Sequence, residues 1–231
     1  MTRGLKALAA VAVVVVVVVL GARALSTSDD DPAGSSPPGS RGTAPPRPGG
    51  APAEGMYVVS DVGSDGQVAV ETWVRAPHPI SELEVTTTDP DLRPGSVESL
   101  DLDVRTMDGA LVAHRESVGT DHQTIRLQEP ASELYFSYTV DGALDSATST
   151  VPGRSLVRVL AMDVDYEDAA TGVVRRLVTA SGTVLNLACL RPGSGLEASP
   201  RPCGRAVGDG DWTVDLSGPD IGDRLLAQVE D

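Results

Sequence analysis

The sequence has almost no lysine, since Lys6 is the only one among its 231 residues. Schiff-base formation, Ser-Lys hydrolysis, P-loop nucleotide binding and kinase chemistry each require a lysine in the site. No lysine follows Lys6, so the sequence excludes these activities from the rest of the chain. It therefore also predicts that no nucleotide is bound there.

Cations in general are few, with 18 Lys and Arg against 33 Asp and Glu. Without Arg3, Lys6 and Arg23, 15 basic residues stand against 33 acidic ones, a formal charge near −18. Nucleic-acid binding requires clustered cations, so the sequence predicts no nucleic-acid partner. The same negative charge repels anionic lipid surfaces and phosphate-rich wall polymers.

Residues that could form a catalytic or metal site are also few and scattered. No G-x-S-x-G motif occurs, and the only histidines are His78, His114 and His122. His114 and His122 would face each other only on the two arms of one hairpin, which leaves copper or zinc binding as an alternative. Acidic groups at 163–168 and 209–211 do not match a calcium loop and are expected in solvated turns. We therefore predict no catalytic residue, metal or cofactor, although paired hydrolase carboxylates would leave no spacing signature.

What the sequence does contain is a long apolar run at 7–22, sixteen residues without a charge. A helix of that length spans roughly 24 Å, less than the roughly 30 Å hydrocarbon core of a bilayer. Extended to 5–25, with Lys6 and Arg23 reaching the two interfaces, the span suffices. An A-x-A pattern around Arg23 is typical of signal cleavage. Residues 1–25 are therefore predicted to be a signal-anchor, with a cleaved signal peptide as the alternative.

The charges around the run predict its orientation. Arg3 and Lys6 precede it, and no acidic residue occurs before Asp29, so the amino terminus should stay in the cytoplasm. Residues 26–54 contain seven Pro, five Gly and five Ser, too little apolar surface to offset the entropy of ordering. They are predicted to be a disordered linker. The expected location is the cell membrane, with the carboxyl-terminal domain outside, or a secreted domain after cleavage.

From residue 55 onward apolar and polar residues alternate with period two, which is typical of half-buried strands. Val68, Val70 and Val74, for example, share one face of a predicted strand. Ten or so short strands over 55–231 predict an all-β domain, an antiparallel β-sandwich of immunoglobulin-like or jelly-roll-like character. Two smaller β-units divided at 141–153 are the alternative.

Two further stretches and one residue pair complete the prediction. Residues 156–164 are apolar on both faces and predict a central strand, whereas 221–229 suit either a short helix or a last strand. Cys189 and Cys203 are the only cysteines. In an exported chain such a pair predicts a disulfide, here closing a Pro- and Gly-rich loop.

The excess of arginine over lysine, with abundant Ala, Gly, Pro, Val and Asp, indicates a GC-rich coding bias. In composition and layout the chain resembles the uncharacterised exported, membrane-anchored envelope proteins of actinobacteria. The resemblance implies an envelope location. With a flexible stalk and no catalytic motif, we expect a non-catalytic binding or scaffold domain for an envelope protein or polymer. The alternative is an exported hydrolase with a carboxylate-based site.

Overall fold

The computed structural model describes residues 43–87, 96–145, 151–192, 199–208 and 210–230. The predicted anchor or signal at 1–25, and the linker as far as residue 42, lie outside these residues. Across the described ranges, no helix is both long enough and apolar enough to span a membrane.

Two β-sheets make up the described part of the chain. The larger has nine strands in the order β12-β13-β9-β1-β2-β5-β3-β4, with β8 also paired to β2. These strands are β1 Gly55–Val62, β2 Val68–Thr86, β3 Glu98–Thr106, β4 Leu111–Val118, β5 Gln123–Asp141, β8 Asp163–Asp165, β9 Val173–Ala180, β12 Arg205–Val207 and β13 Asp211–Leu216. The smaller sheet has the order β11-β10-β14-β7-β6. Its strands are β6 Leu144–Asp145, β7 Arg154–Val159, β10 Thr183–Leu190, β11 Arg201–Pro202 and β14 Arg224–Glu230. Short 3-10 turns lie at Ala169–Thr171 and Gly218–Asp220.

One core lies between the two sheets, which confirms the predicted all-β sandwich. Val70 and Phe136 of the larger sheet belong to the same buried cluster as Val157 and Leu225 of the smaller one. The alternative division at 141–153 does not separate two units, because β9 and β13, which follow it, join the sheet that β1 begins.

The sequence predicts a purely antiparallel sandwich, but in the structure β1 and β9 are parallel. Met56 is opposite Val174 and Val62 is opposite Ala180 in this pairing. Alternation of apolar residues indicates which side chains face the core but not the direction of the neighbouring strand. The period-two alternation of the sequence therefore does not indicate the parallel pair.

Strands β2 and β5 are 19 residues each and are longer than the sequence predicts. The prolines Pro77, Pro79 and Pro130 resemble strand ends in the sequence. In the structure they lie where the β2–β5 register shifts, around Ile80. The two strands continue past this irregularity, so each joins two predicted short strands into one.

The predicted central strand at 156–164 is divided between the sheets. Residues up to Val159 belong to β7, which lies between β14 and β6, and Asp163–Asp165 form β8 on the other sheet. The chain crosses from one sheet to the other between these strands. For the stretch at 221–229 the sequence predicts either a short helix or a last strand, and the structure has strand β14 at Arg224–Glu230.

The described end of the predicted linker, residues 43–54, packs on the outer face of the larger sheet and is called the strap here. Ala44 is buried against Tyr57, Trp73 and Tyr135, which we call the aromatic cluster. The ring centroids of Trp73 lie 6.0 Å from Tyr57 and 5.3 Å from Tyr135. The strap, which the sequence analysis includes in the linker, thus contacts the sheet, because outward-facing aromatic rings give it a surface to bury.

Candidate ligand pocket

A pocket of about 250 Å³ lies beside the larger sheet, next to the segment that crosses to it from the smaller sheet between β7 and β8. Strands β1 and β9 contribute apolar walls through Met56, Val58 and Val174. The crossing segment contributes Met162, and the loop before β14 contributes Ile221. The pocket is therefore bounded by the segment in which the chain crosses from β7 of the smaller sheet to β8 of the larger one.

The most unusual residue of the pocket is Arg176, which lies on β9 with its side chain between the sheets. It is only 5% exposed. One terminal nitrogen donates a hydrogen bond to the carbonyl oxygen of Val159 at 2.7 Å, whereas its buried Nε has no hydrogen-bond partner. Burial is the main cause that lowers the pKa of Arg176 to about 10; the charge of Arg224 acts in the same direction, whereas Tyr138 and the negative charge of Asp163 oppose it. The guanidinium therefore still carries its charge at neutral pH.

A second arginine of the pocket, Arg224, is held by a carboxylate. Its two terminal nitrogens donate to the two carboxylate oxygens of Asp163, each at 3.1 Å. Such a two-point pair fixes both side chains and balances their charges. The pair joins β14 of the smaller sheet to β8 of the larger one.

Asp223 is the third charged group of the pocket with a defined partner. Its side chain is fully buried, and one of its oxygens accepts a hydrogen bond from Arg201. Its other oxygen, Oδ1, is buried without a partner. Arg201 also lies 3.0 Å from Asp220. The Asp223 charge is therefore balanced, although one acceptor position is left over.

Near the pocket, the buried Tyr138 fixes the crossing segment. Its hydroxyl oxygen accepts a hydrogen bond from the backbone N–H of Met162 at 2.9 Å. Burial raises the pKa of Tyr138 to about 12, so the hydroxyl stays neutral at physiological pH. Tyr138 thus holds Met162 in position without adding a charge.

The structure does not bring the three histidines together. His78 lies 3.0 Å from Asp168, His114 lies 2.9 Å from Asp103, and His122 lies 3.7 Å from Glu84. Among the described residues, no group of three or more His, Cys, Asp or Glu side chains could hold a metal ion.

The acidic groups named in the sequence have varied surroundings. Asp163 pairs with Arg224 and Asp168 pairs with His78, whereas Asp165 and Glu167 are exposed. Residue 209 lies outside the described residues. Asp163 is thus the one member of these groups that both lines the pocket and has an arginine partner.

The predicted disulfide between Cys189 and Cys203 is confirmed. The Cα atoms of the two residues are 5.6 Å apart and the bond spans a sequence separation of 14. Cys189 lies on β10 opposite Arg201 of β11. The bridge therefore closes a loop that begins and ends at the same edge of the smaller sheet.

The sequence does not predict Arg176 or Arg224 as site residues, although it contains a signal for the first. In the period-two alternation of the sequence, Arg176 falls on the same face as Val174 and Val178. A charge on an otherwise apolar face indicates a buried cation. No such signal marks Arg224, because its role depends on the approach of Asp163 from another sheet.

No protein-family model and no curated protein matches the chain. Among solved structures, the fold is similar to an aminopeptidase N family protein from Idiomarina loihiensis, with 11% identity and a TM-score of 0.42. The match covers 74% of this chain but only 29% of that one. A similarity at this level indicates neither a family nor an activity for the chain.

Proposed function

We propose that this protein is an exported, single-pass membrane protein whose β-sandwich binds a ligand in the pocket around Arg176 without chemically changing it. The observation that carries the proposal is the pocket itself, about 250 Å³ with apolar walls and a buried guanidinium. Pockets of this type, largely apolar with a few polar groups that orient the ligand, are typical binding sites.

The charged groups of the pocket support binding over hydrolysis. Of the three carboxylates that line the pocket, Asp163 and Asp223 contact arginines, and Asp165 is exposed. A general acid or nucleophile has to exchange a proton or a bond with the substrate. Carboxylates held by arginines are better suited to keeping the pocket in shape, so the exported hydrolase remains the second reading.

Two observations support export. The Cys189–Cys203 disulfide is of a kind that persists in oxidising compartments. The apolar run at 7–22 with Arg3 and Lys6 before it favours an anchor whose amino terminus is cytoplasmic. The envelope location shared with the actinobacterial proteins, and the finer choice between an immunoglobulin-like and a jelly-roll-like sandwich, remain part of the proposal.

The location is tested by membrane fractionation and amino-terminal sequencing of the natively produced protein. We expect it in the membrane fraction with its apolar run intact. A mature protein beginning at residue 25 would replace the anchor with a freely secreted domain.

Binding is tested by NMR on the full-length protein labelled at its methionine methyl groups. Met56 and Met162 line the pocket, whereas Met107 packs beside the aromatic cluster and serves as an internal control. Small neutral, anionic and cationic compounds are added in turn. We expect at least one to move the Met56 and Met162 signals but not that of Met107, and to be recovered unchanged. Failure of every compound, or turnover that Asp163→Asn or Asp223→Asn abolishes, would contradict the proposal.

A further inference from the structure

Arg176 differs from Arg224 and Asp223 because it is a buried charged group of the pocket without an ion-pair partner among the described residues. Arg224 pairs with Asp163, and Asp223 pairs with Arg201. Within the described ranges, by contrast, no carboxylate lies at ion-pair distance from Arg176. Its guanidinium donates a hydrogen bond to a neutral carbonyl oxygen, that of Val159. The buried charge of Arg176 therefore has no directly paired counter-charge among the described residues.

A buried charge without a counter-charge is costly. Removing an ion from water carries a large penalty in free energy, and a single hydrogen bond to a carbonyl offsets only part of it. A leucine or methionine at this position would avoid the penalty and continue the apolar face of Val174 and Val178. An arginine there is explained if something with a negative charge enters the pocket and pairs with it.

The shapes of the guanidinium and of the pocket indicate which kind of anion would fit. A guanidinium offers parallel N–H donors that match the two oxygens of a carboxylate. The walls beside it are Met56, Val58 and Val174, which provide no partner for further polar groups. An apolar cavity of about 150 Å³ admits benzene, so about 250 Å³ has room for a ring or short chain that carries one carboxylate.

The charge balance argues for a monoanion. Arg176 can pair with one negative charge, and a second negative charge on the ligand would face Asp163, Asp165 and Asp223, which also line the pocket. The net charge of −15 on the chain adds a long-range repulsion that grows with the charge of the anion. Inorganic phosphate and phosphate esters are disfavoured on both grounds.

We infer that the pocket binds a small organic monocarboxylate, whose carboxylate pairs with the guanidinium of Arg176 and whose apolar body packs on Met56, Val58 and Val174. This inference rests on the proposed function, because it names the ligand class of the same pocket. It adds that the bound group is anionic and that Arg176 is the residue that recognises it.

The experiment compares benzoate with benzamide, which has nearly the same shape but no charge. Each is titrated into the full-length protein labelled at its methionine methyl groups, with inorganic phosphate as a further anion. We expect benzoate to move the Met56 and Met162 signals, benzamide to bind at least about tenfold more weakly, as loss of a charge-assisted pair implies, and phosphate to have no effect. Met107 should stay unchanged in every titration.

Three variants assign the effect to Arg176. Arg176→Leu removes the charge, Arg176→Lys keeps the charge without the two-point geometry, and Arg175→Leu removes the neighbouring arginine, which faces the other side and pairs with Asp215. We expect the Leu variant at 176 to lose benzoate binding, the Lys variant to bind more weakly, and the Arg175 variant to bind normally. The Met107 signal and the unfolding midpoint report whether each variant is folded.

Several outcomes would overturn the inference. Equal binding of benzoate and benzamide, or benzoate binding that survives both substitutions of Arg176, would show that the carboxylate is not recognised there but would leave the pocket as a binding site. If benzoate moves neither methionine signal, the monocarboxylate is excluded. The proposed function then stands if a neutral or cationic compound moves them, and falls with the inference if none does.

Discussion

The indole Nε1 of Trp73 donates a hydrogen bond to the carbonyl oxygen of Pro45 at 3.1 Å. It connects the strap to the outer face of the larger sheet, on the side away from the core. Arg175 adds a second link, because it donates to the carbonyl oxygen of Gly50. The last part of the predicted linker, residues 43–54, is therefore held against the larger sheet.

The bond between Trp73 and Pro45 gives a first prediction. Trp73→Phe keeps an aromatic ring but removes the N–H donor, so the free energy of unfolding should fall by about 1 kcal/mol. The measurement is denaturant unfolding of the full-length protein. In a chain without residues 43–52 the partner is gone, and the same substitution should cost little. An equal cost in both backgrounds would show that the hydrogen bond to the strap is not its cause.

The parallel pairing of β1 with β9 gives a second prediction. Gly55 has φ +106°, and a Cβ atom there would lie 2.2 Å from the backbone oxygen of Val173. Gly55→Ala should therefore lower the free energy of unfolding by about 2 kcal/mol or more. Gly119→Ala is the matched control, because no atom lies within 4 Å of a Cβ added there. Similar unfolding midpoints for the two variants would contradict the parallel register.

The disulfide gives a third prediction. Cys189 and Cys203 close a loop with a sequence separation of 14, which in the chain-entropy model stabilises the folded state by about 3 kcal/mol. Cys203→Ser should lower the unfolding midpoint accordingly, and mass spectrometry without reduction should find the two cysteine peptides linked. Two free thiols in the natively produced protein would contradict both the bridge and the proposed export to an oxidising compartment.

The contact between His78 and Asp168 gives a fourth prediction. The hydrogen bond and negative charge of Asp168 raise the pKa of His78 above its ordinary value near 6.5. A pKa that is higher in the folded state means that the stabilisation is fully present below about pH 6.5 and is lost as the pH rises through the folded pKa. The difference in unfolding midpoint between the native protein and His78→Asn should therefore shrink toward alkaline pH.

Asp168→Asn provides the control for the histidine. Asp168 is the main cause that raises the pKa of His78, and Asp168→Asn removes its carboxylate. In this background the change in unfolding midpoint caused by His78→Asn should therefore hardly vary with pH. A difference that stays constant with pH in the native background would contradict the role assigned to the pair.

Much of the fold is predictable from the sequence because burial on one face forces alternation. Val68, Val70 and Val74 are buried as their spacing predicts, and the Cys pair is bonded as parity and context predict. The parallel β1–β9 pair and the continuation of β2 past Pro77 are not predictable in this way. Both depend on which strand lies alongside, which local periodicity does not encode.

The site is less predictable than the fold. The position of Arg176 on an apolar face is visible in the sequence, but its role depends on the pocket around it and on which described carboxylates pair with other arginines. The pair of Arg224 with Asp163 joins residues 61 apart in sequence and on different sheets. The packing of the strap is not predictable from the sequence either. Its Pro-rich composition is typical of a linker, and only the aromatic cluster beneath it makes packing favourable.

Native mass spectrometry of the full-length protein, purified from the cells that naturally produce it, tests the central claim most directly. We expect a small non-covalent adduct that leaves on collisional activation as an unmodified molecule, present on the native protein and on Arg175→Leu but absent from Arg176→Leu. That result would place a natural ligand in the pocket and give its mass. A bare protein in all three samples, or the same adduct on Arg176→Leu as on the native chain, would contradict a binding site built around Arg176.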